Sequence, residues 1–152
     1  MPNHVEQIAS RKALLSLLAT ADEGRAAALL ATLSLAPSHE MLRSPEIGSV
    51  MVQGRAGGTG APFNMGEVTV TRCSLRLTGG EVGHGYVQGR RKHDAQTVAL
   101  IDALMQTAAA PRIEAQVLTP LRQEQADRRA ARASKAAATK VAFFTMVRGE
   151  DE

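Results

Sequence analysis

The middle of the chain changes its residue period, and this change limits the fold more than any other feature. Three stretches alternate apolar and polar residues between glycine-rich turns: EIGSVMVQG, GEVTVTRCSLRL and EVGHGYVQG. A period of two is typical of strands, and short glycine-containing connections favour antiparallel hairpins. On either side, apolar residues recur every three or four positions, as in amphipathic helices. The sequence therefore predicts an α+β fold, a small antiparallel sheet with N-terminal and C-terminal helices.

Two helices are predicted before the sheet. Thr20 and Glu23 have the spacing of a capping box, which predicts that the second helix begins there. That helix should end before Pro37, because the residue ahead of a proline is disfavoured in the helical region. The first helix should end near Leu18, and its apolar stripe consists of Val5, Ile8, Leu15 and Leu18.

Two further helices are predicted after the sheet. HDAQTVALIDALMQ has a helical period. After a break at Pro111, a second helix should reach about Lys140, with a thin apolar stripe in its first part only. Its second part, ADRRAARASKAAATK, is either a solvated helix or a helix that packs against another chain. The inward residues of this region are Val98, Ile101, Leu104 and Met105, then Ile113, Val117 and Leu121.

The second strand has apolar residues on both faces. Val68 and Val70 share one face, whereas Cys73 and the leucines after it share the other. Either both faces are covered, or a bulge near Thr71 switches them. In both cases Arg72 and Arg76 project together, opposite the Cys73 side. The terminal VAFFTMVRG is also apolar on both faces, which predicts a strand inside a sheet or an interface.

Composition narrows the class of protein. The 152 residues suit one domain, 1–152, and the net charge of +3 is small for a protein that coats nucleic acid. With no Trp, one Tyr and three Phe, stacking platforms for single strands are scarce, so no nucleic acid is expected. The single Cys73 fits a reducing compartment, and no apolar run approaches the ~20 residues of a membrane span. We expect a cytoplasmic protein that does not cross a membrane.

The first candidate anion site is the glycine cluster GRAGGTG. It lacks the Lys-Ser/Thr pair of a phosphate-binding P-loop, and a strand rather than a helix follows it. Two alternatives remain. The cluster is a plain turn, or its backbone amides converge on an anion beside charged and hydroxyl side chains. The residues of such a site would be Arg55, Gly57, Gly58 and Thr59.

The second candidate is GRRK, residues 89–92, at the start of the Val98 helix. Cations are unfavourable at a helix N-terminus, and only Asp94 offsets them. An anion bound there would be held by amides and side chains together. The alternative is three solvated charges. Arg90 is the contact residue we expect from this stretch, and Arg72 from the neighbouring strand.

No catalytic or metal residue can be assigned from the residues alone. The four histidines and Cys73 lack metal-ligand spacing, so we expect no metal. His84 is interpreted as a structural histidine beside an aromatic residue, and Cys73 as a buried hydrophobe. Glu67 and Asp102 are isolated carboxylates by sequence. The catalytic residues are unknown.

Several motifs together resemble the PhnG family, whose members are subunits of the bacterial carbon-phosphorus lyase core complex. They are GRAGGTGAPFNMGEVTVTRCSLRL, GYVQGRRKHDAQTVALIDALMQ and the terminal VAFFTMVRGE. One departure is Asp94 before Ala95, where the family is expected to carry His, with His93 one place earlier. The matched positions are Gly54, Arg55, Gly57, Gly58, Thr59, Gly60, Phe63, Gly66, Thr71, Arg72, Gly89, Arg90, Phe143, Phe144, Met146 and Arg148.

The resemblance implies a role in phosphonate catabolism. It implies a core complex with subunits H, I and J. With subunits H, I and L, such a protein supports formation of α-D-ribose 1-methylphosphonate 5-triphosphate from ATP and methylphosphonate, with release of adenine. ATP is then a co-substrate of the complex, and no cofactor is expected in this chain. The alternatives are a purely structural subunit without active-site residues, or a basic nucleic-acid-binding scaffold.

Overall fold

The computed structural model describes residues 4–139, in which a three-stranded sheet is packed against helices. The helices are α1 (His4–Ala19), α2 (Arg25–Ala31), α3 (Lys92–Leu104), α4 (Ala110–Ile113) and α5 (Thr119–Ala138). The strands are β1 (His39–Arg55), β2 (Pro62–Leu77) and β3 (Val82–Gln88). A short 3-10 turn, Ala56–Gly58, separates β1 from β2, and a π-helical turn, Glu114–Leu118, joins α4 to α5. The α+β fold class is confirmed.

The sheet is antiparallel, in the order β1-β2-β3, as the three predicted strands required. β1 begins earlier than predicted and contains Pro45. Proline lacks a backbone N–H, and β1 tolerates it because it is an edge strand. The β1–β2 register slips twice around this position, between Met41 and Arg43 and between Arg43 and Glu46.

The switch of apolar faces in β2 is not caused by a bulge near Thr71. The register of β2 with β1 is continuous from Val68 to Arg72, and its register with β3 is continuous from Val70 to Arg76. Thr71 is buried with Cys73 on the face toward α3, and Val70 is buried on the opposite face. Of the two alternatives, the bulge in β2 at Thr71 is therefore excluded, and both faces are covered at Val70 and Thr71. The nearest register slip has its extra residue in β1, between Arg43 and Glu46, so it does not change the faces of β2.

The N-terminal segment ends its first helix as predicted but starts its second helix later. The Thr20 hydroxyl donates back to the carbonyls of Ser16 (2.8 Å) and Leu17 (3.1 Å), so it closes α1 instead of capping α2. Gly24 is the N-cap of α2, with a left-handed φ of 73° that favours glycine. The capping-box prediction is wrong because the Thr20 side chain bonds to the helix before it.

The predicted stripe of α1 is only partly correct. Val5 and Ile8 are 68% and 56% exposed, whereas the core residues of this helix all belong to its second half. Only that half lies over the core. The buried residues are Leu14, Leu17 and Leu18.

The helices after the sheet follow the prediction closely. Val98, Ile101 and Leu104 of α3 are buried, and Met105 is half-buried. The stripe of Ile113, Val117 and Leu121 is also buried, and these residues join the same core as α1, α2, β2 and β3. Pro111 lies in the first turn of α4, where a missing N–H costs little.

The second half of α5 is exposed throughout residues 131–139. The terminal VAFFTMVRG segment, with the matched Phe143, Phe144, Met146 and Arg148, lies outside the described residues. Within residues 4–139, none of the helices has the length and apolar character to cross a membrane.

Candidate functional site on the outer face of the sheet

α3 covers one face of the sheet, and this decides which side chains point away from the core. Two glycines of β3 let the helix approach closely. A Cβ at Gly85 would lie 1.8 Å from the Ala95 carbonyl oxygen, and one at Gly83 would lie 1.9 Å from that of Ala99. The opposite face, called the outer face below, carries the polar residues of β2 and β3. They are Arg72, Ser74, Arg76, His84, Tyr86 and Gln88.

The two arginines of β2 project together on this face, as predicted, and both are paired with glutamates of β1. Arg72 shares the Glu46 carboxylate with Arg43, and Arg76 binds Glu40. Hydrogen bonds from Arg43 and then from Arg72 hold the pKa of Glu46 below its usual range. Because two guanidinium groups share one carboxylate, the cluster at Glu46 retains one net positive charge.

Ser74 and His84 face each other across β2 and β3. Ser74 Oγ lies 3.0 Å from His84 Nδ1, and the histidine is exposed. Tyr86 shares the face with His84, which fits the expected structural pair with an aromatic neighbour. Within residues 4–139 no carboxylate hydrogen bonds to the His84 ring, and the arrangement described there is a Ser74–His84 pair.

The glycine cluster forms the tip of the β1–β2 hairpin. Gly57 and Gly58 have φ values of 58° and 81°, the left-handed conformation that the sequence predicts for such glycines. Arg55 Nη1 donates to the Gly60 carbonyl at 3.1 Å, so this side chain folds back over its own turn. Arg55, Gly57, Gly58 and Thr59 are thus brought together, and all are exposed.

The start of α3 uses one of its three cations internally. Arg91 is paired with Asp94 and also donates to the Ala21 carbonyl at 3.1 Å. Asp94 accepts from the Gly24 amide at 3.0 Å, so this carboxylate ties α3 to the cap of α2. Arg90 and Lys92 remain exposed. The role of Arg91 was missed from sequence, because its partners include a carbonyl 70 residues away in the chain.

The candidate anion residues are not gathered in one pocket. Arg55 lies nine positions along β1 from Glu46, the register partner of Arg72, which corresponds to roughly 30 Å of extended strand. Arg90 follows β3 by two residues, on the far side of β2 from β1. The hairpin tip is therefore a separate cationic position from the Glu46 cluster. Arg90 lies closer to that cluster, because its neighbours Gly89 and Arg91 hydrogen bond to Thr69 and Thr71 of β2.

Asp102 has no carboxylate partner by sequence, and in the structure it hydrogen bonds to groups of two other elements. Its carboxylate accepts from Arg11 Nε at 2.9 Å, from Arg11 Nη2 at 2.7 Å and from the His84 amide at 2.9 Å. The hydrogen bonds to Asp102 raise the pKa of the Arg11 guanidinium group. The three bonds together join α1, α3 and β3. The pair lies at the wall of a groove of about 600 Å³ between α1 and the C-terminal helices.

The Cys73 thiol lies in the core, away from the outer face. Cys73 is 1% exposed, and burial raises the pKa of its thiol, as expected for a buried hydrophobe. Residues 4–139 hold no cluster of three His, Cys, Asp or Glu side chains that could bind a metal ion.

Comparisons with known proteins identify the family. The family model described as "Phosphonate metabolism protein PhnG" matches residues 9–149. A relative from Rhizobium meliloti (strain 1021) is 45% identical over 148 residues, which is 95% of this chain and 92% of the relative. That relative is named alpha-D-ribose 1-methylphosphonate 5-triphosphate synthase subunit PhnG. These matches favour the enzyme-subunit prediction over a structural or nucleic-acid-binding role. The chain belongs to the PhnG family of phosphonate metabolism proteins.

Proposed function

We propose that the chain is a subunit of α-D-ribose 1-methylphosphonate 5-triphosphate synthase. The supporting observation is the 45% identity to a named subunit of that enzyme across 95% of this chain. In this proposal the complex uses ATP and a phosphonate such as methylphosphonate, and it releases adenine. The partners are subunits H, I and L for this step and J in the core complex. We place the assembly in the cytoplasm, since one cysteine in the chain fits a reducing compartment.

Four carboxylates of β1 and α3 are already bound to protein donors, which makes them poorly placed for acid–base chemistry. Asp94 and Asp102 are buried, and protein donors occupy both carboxylates. Glu40 and Glu46 are paired with arginines. Arg55 and Arg90, which form no ion pair within residues 4–139, are exposed and can bind an anion. Displacement of adenine passes through a cationic ribose, and a chain of this kind would contribute by holding the charged phosphates in position.

The proposed contacts with a triphosphate or phosphonate are those predicted from sequence. Arg90 is exposed at the start of α3, and the Glu46 cluster that contains Arg72 carries a net positive charge. At the hairpin tip, left-handed glycines leave backbone amides accessible beside a guanidinium group. The full set is Arg55, Gly57, Gly58, Thr59, Arg72 and Arg90.

The test is adenine release by the reconstituted synthase. The wild-type chain with the other subunits should release adenine from ATP plus methylphosphonate, and omission of this chain should abolish the release. Arg55→Ala, Arg72→Ala and Arg90→Ala are made singly. Replacing a residue that contacts the phosphates should lower the rate of adenine release about tenfold or more while the complex still assembles. Arg132→Ala, an exposed cation in α5, is the matched control.

Two results would contradict parts of this proposal. A wild-type complex that assembles without releasing adenine would refute the function. If the three arginine variants impair assembly only, their residues are architectural and the anion contacts are refuted.

A further inference from the structure

The β1–β2 hairpin extends past the third strand as a two-stranded ribbon. β3 pairs with β2 only from Val70 to Arg76, whereas the β1–β2 register continues from Val50 and Val68 to Arg55 and Pro62. Residues 50–68, called the arm below, therefore project for about 20 Å without a third strand. Isolated two-stranded ribbons are only marginally stable in water. An arm of this length gains stability when another surface covers it.

One face of the arm is apolar and carries no charge. Cross-strand partners share a face, which places Val50 with Val68 and Val52 with Gly66 on the same side as Phe63. The Met65 side chain fills the space above Gly54, so it lies on this side too. The exposed fractions are 38% for Val50, 36% for Val52, 48% for Phe63 and 65% for Met65.

The charges of the arm lie away from this strip. Arg55 and Glu67 are the charged residues of the arm, and the register places both on the opposite face. At the root of the arm, the part of the sheet where β3 pairs with β2, the Glu46 cluster and the Arg76–Glu40 pair form a polar border. An apolar centre bordered by paired charges is the pattern of a protein–protein interface, and burying such a centre strips water from no charged group.

We propose that the arm inserts into an apolar cleft, without charged residues at its floor, on another subunit of the synthase. This inference rests on the proposed function, because a subunit of a multisubunit enzyme has such a neighbour. The cleft would cover the apolar strip, and its rim would meet the paired charges at the root. The arm is thus an assembly element whose apolar strip is distinct from the candidate anion contacts.

The exposed area argues against a second copy as the occupant. The four apolar side chains expose on the order of 350 Å² together, if a large apolar side chain has roughly 150–200 Å² in full. A stable interface buries about 800 Å² per partner. Two arms stacked by these faces fall well short of that value. A cleft that covers the strip and also reaches the exposed Met51 on the opposite face, with Glu67 and Arg55 left at its rim, comes closer to this value.

The test compares arm variants with a matched control in the complete complex. Phe63→Glu and Met65→Glu place a charge in the strip, and Ile8→Glu places one at a similarly exposed apolar residue of α1. A second type of variant joins Ser49 to Thr69, which are register partners, through an Asn-Gly turn and so removes the arm. Each chain is co-expressed with the other synthase subunits, one of which carries an affinity tag.

We expect the three arm variants to bind the tagged complex at least about tenfold more weakly, and Ile8→Glu to bind like the wild type. Thermal unfolding followed by circular dichroism should show that the glutamate variants remain folded. Normal binding of all arm variants would overturn the inference. So would a dimer of the isolated chain that Phe63→Glu dissociates while the complex still assembles. Adenine release by the wild-type complex separates these failures from a failure of the proposed function.

Discussion

The contact between β3 and α3 gives the sharpest test of this fold, through the substitution Gly85→Ala. An added Cβ would lie 1.8 Å from the Ala95 carbonyl oxygen, 2.8 Å from its carbonyl carbon and 3.1 Å from the Ala99 amide nitrogen. All three atoms belong to the backbone, so no side chain can rotate away. The start of α3 has to retreat from the sheet by more than about 1 Å to restore an ordinary contact.

The loss of stability depends on the contacts between α3 and the sheet that this movement breaks. α3 carries nine buried residues, and its apolar ones share a core with Cys73 and Leu75 of β2 and Val87 of β3. A gap of about 0.5–1 Å already loses a quarter to a half of the dispersion energy at each contact. Overpacking in a rigid core costs about 1–3 kcal/mol or more, and the backbone clash puts Gly85→Ala at the upper end, near ~3 kcal/mol.

Urea unfolding of the purified chain, followed by far-ultraviolet circular dichroism, measures this cost, since the chain has no Trp. The matched control is Gly48→Ala in β1, where no atom lies within 4 Å of the added Cβ. We expect the control to stay within about 0.5 kcal/mol of the wild type. If Gly85→Ala were equally neutral, the close approach of α3 to β3 would be refuted, and with it the division of the sheet into a covered face and an outer face.

Other side chains give further tests. Asp102→Asn removes a carboxylate that binds Arg11 and the His84 amide, and should lower the free energy of unfolding by about 2–3 kcal/mol, whereas the exposed Asp127→Asn should change it little; urea unfolding compares them. Cys73 should react with a thiol reagent slowly in the native chain and quickly in urea, and rapid native labelling would contradict its burial. Because burial raises the pKa of Cys73 above its ordinary 9.0, its contribution to stability is present below that pH and is lost as the pH rises through the folded pKa. The free energy of unfolding should therefore fall more steeply above about pH 9 in the wild type than in Cys73→Ala.

The fold class and most elements could be predicted because periodicity records burial. The strands have a period of two, and α3 has a helical period with its inward residues correctly assigned. Local rules were weaker at the element ends. Thr20 and Glu23 satisfied the capping-box spacing, but the Thr20 hydroxyl donates to carbonyls of the turn before it, and α2 begins after Gly24. A spacing rule states which partner is possible and does not state which one the fold uses.

The ties that organise the candidate site could not be predicted, because they join distant parts of the chain. Asp102 meets Arg11 across 91 residues, and Arg91 meets the Ala21 carbonyl across 70. By sequence, Arg91 was one of three equivalent cations, and the structure separates it from Arg90 and Lys92. At these sites the sequence identifies the type of side chain, but only the fold shows which group it binds.

The proposed anion contacts differ in what each arginine must give up before it can bind a phosphate, and this difference predicts an order of effects. The Arg90 side chain has no hydrogen-bond partner within residues 4–139, and Arg55 would lose a single bond to the neutral Gly60 carbonyl, worth about 1 kcal/mol. Arg72 would have to loosen a charged bond to Glu46, although Arg43 can hold that carboxylate alone. If all three contact phosphate, adenine release should depend most on Arg90 and Arg55 and less on Arg72. Glu46→Gln should then raise the contribution of Arg72, because it frees the guanidinium group, and a Glu46→Gln complex with unchanged or lower activity would remove Arg72 from the set of contacts.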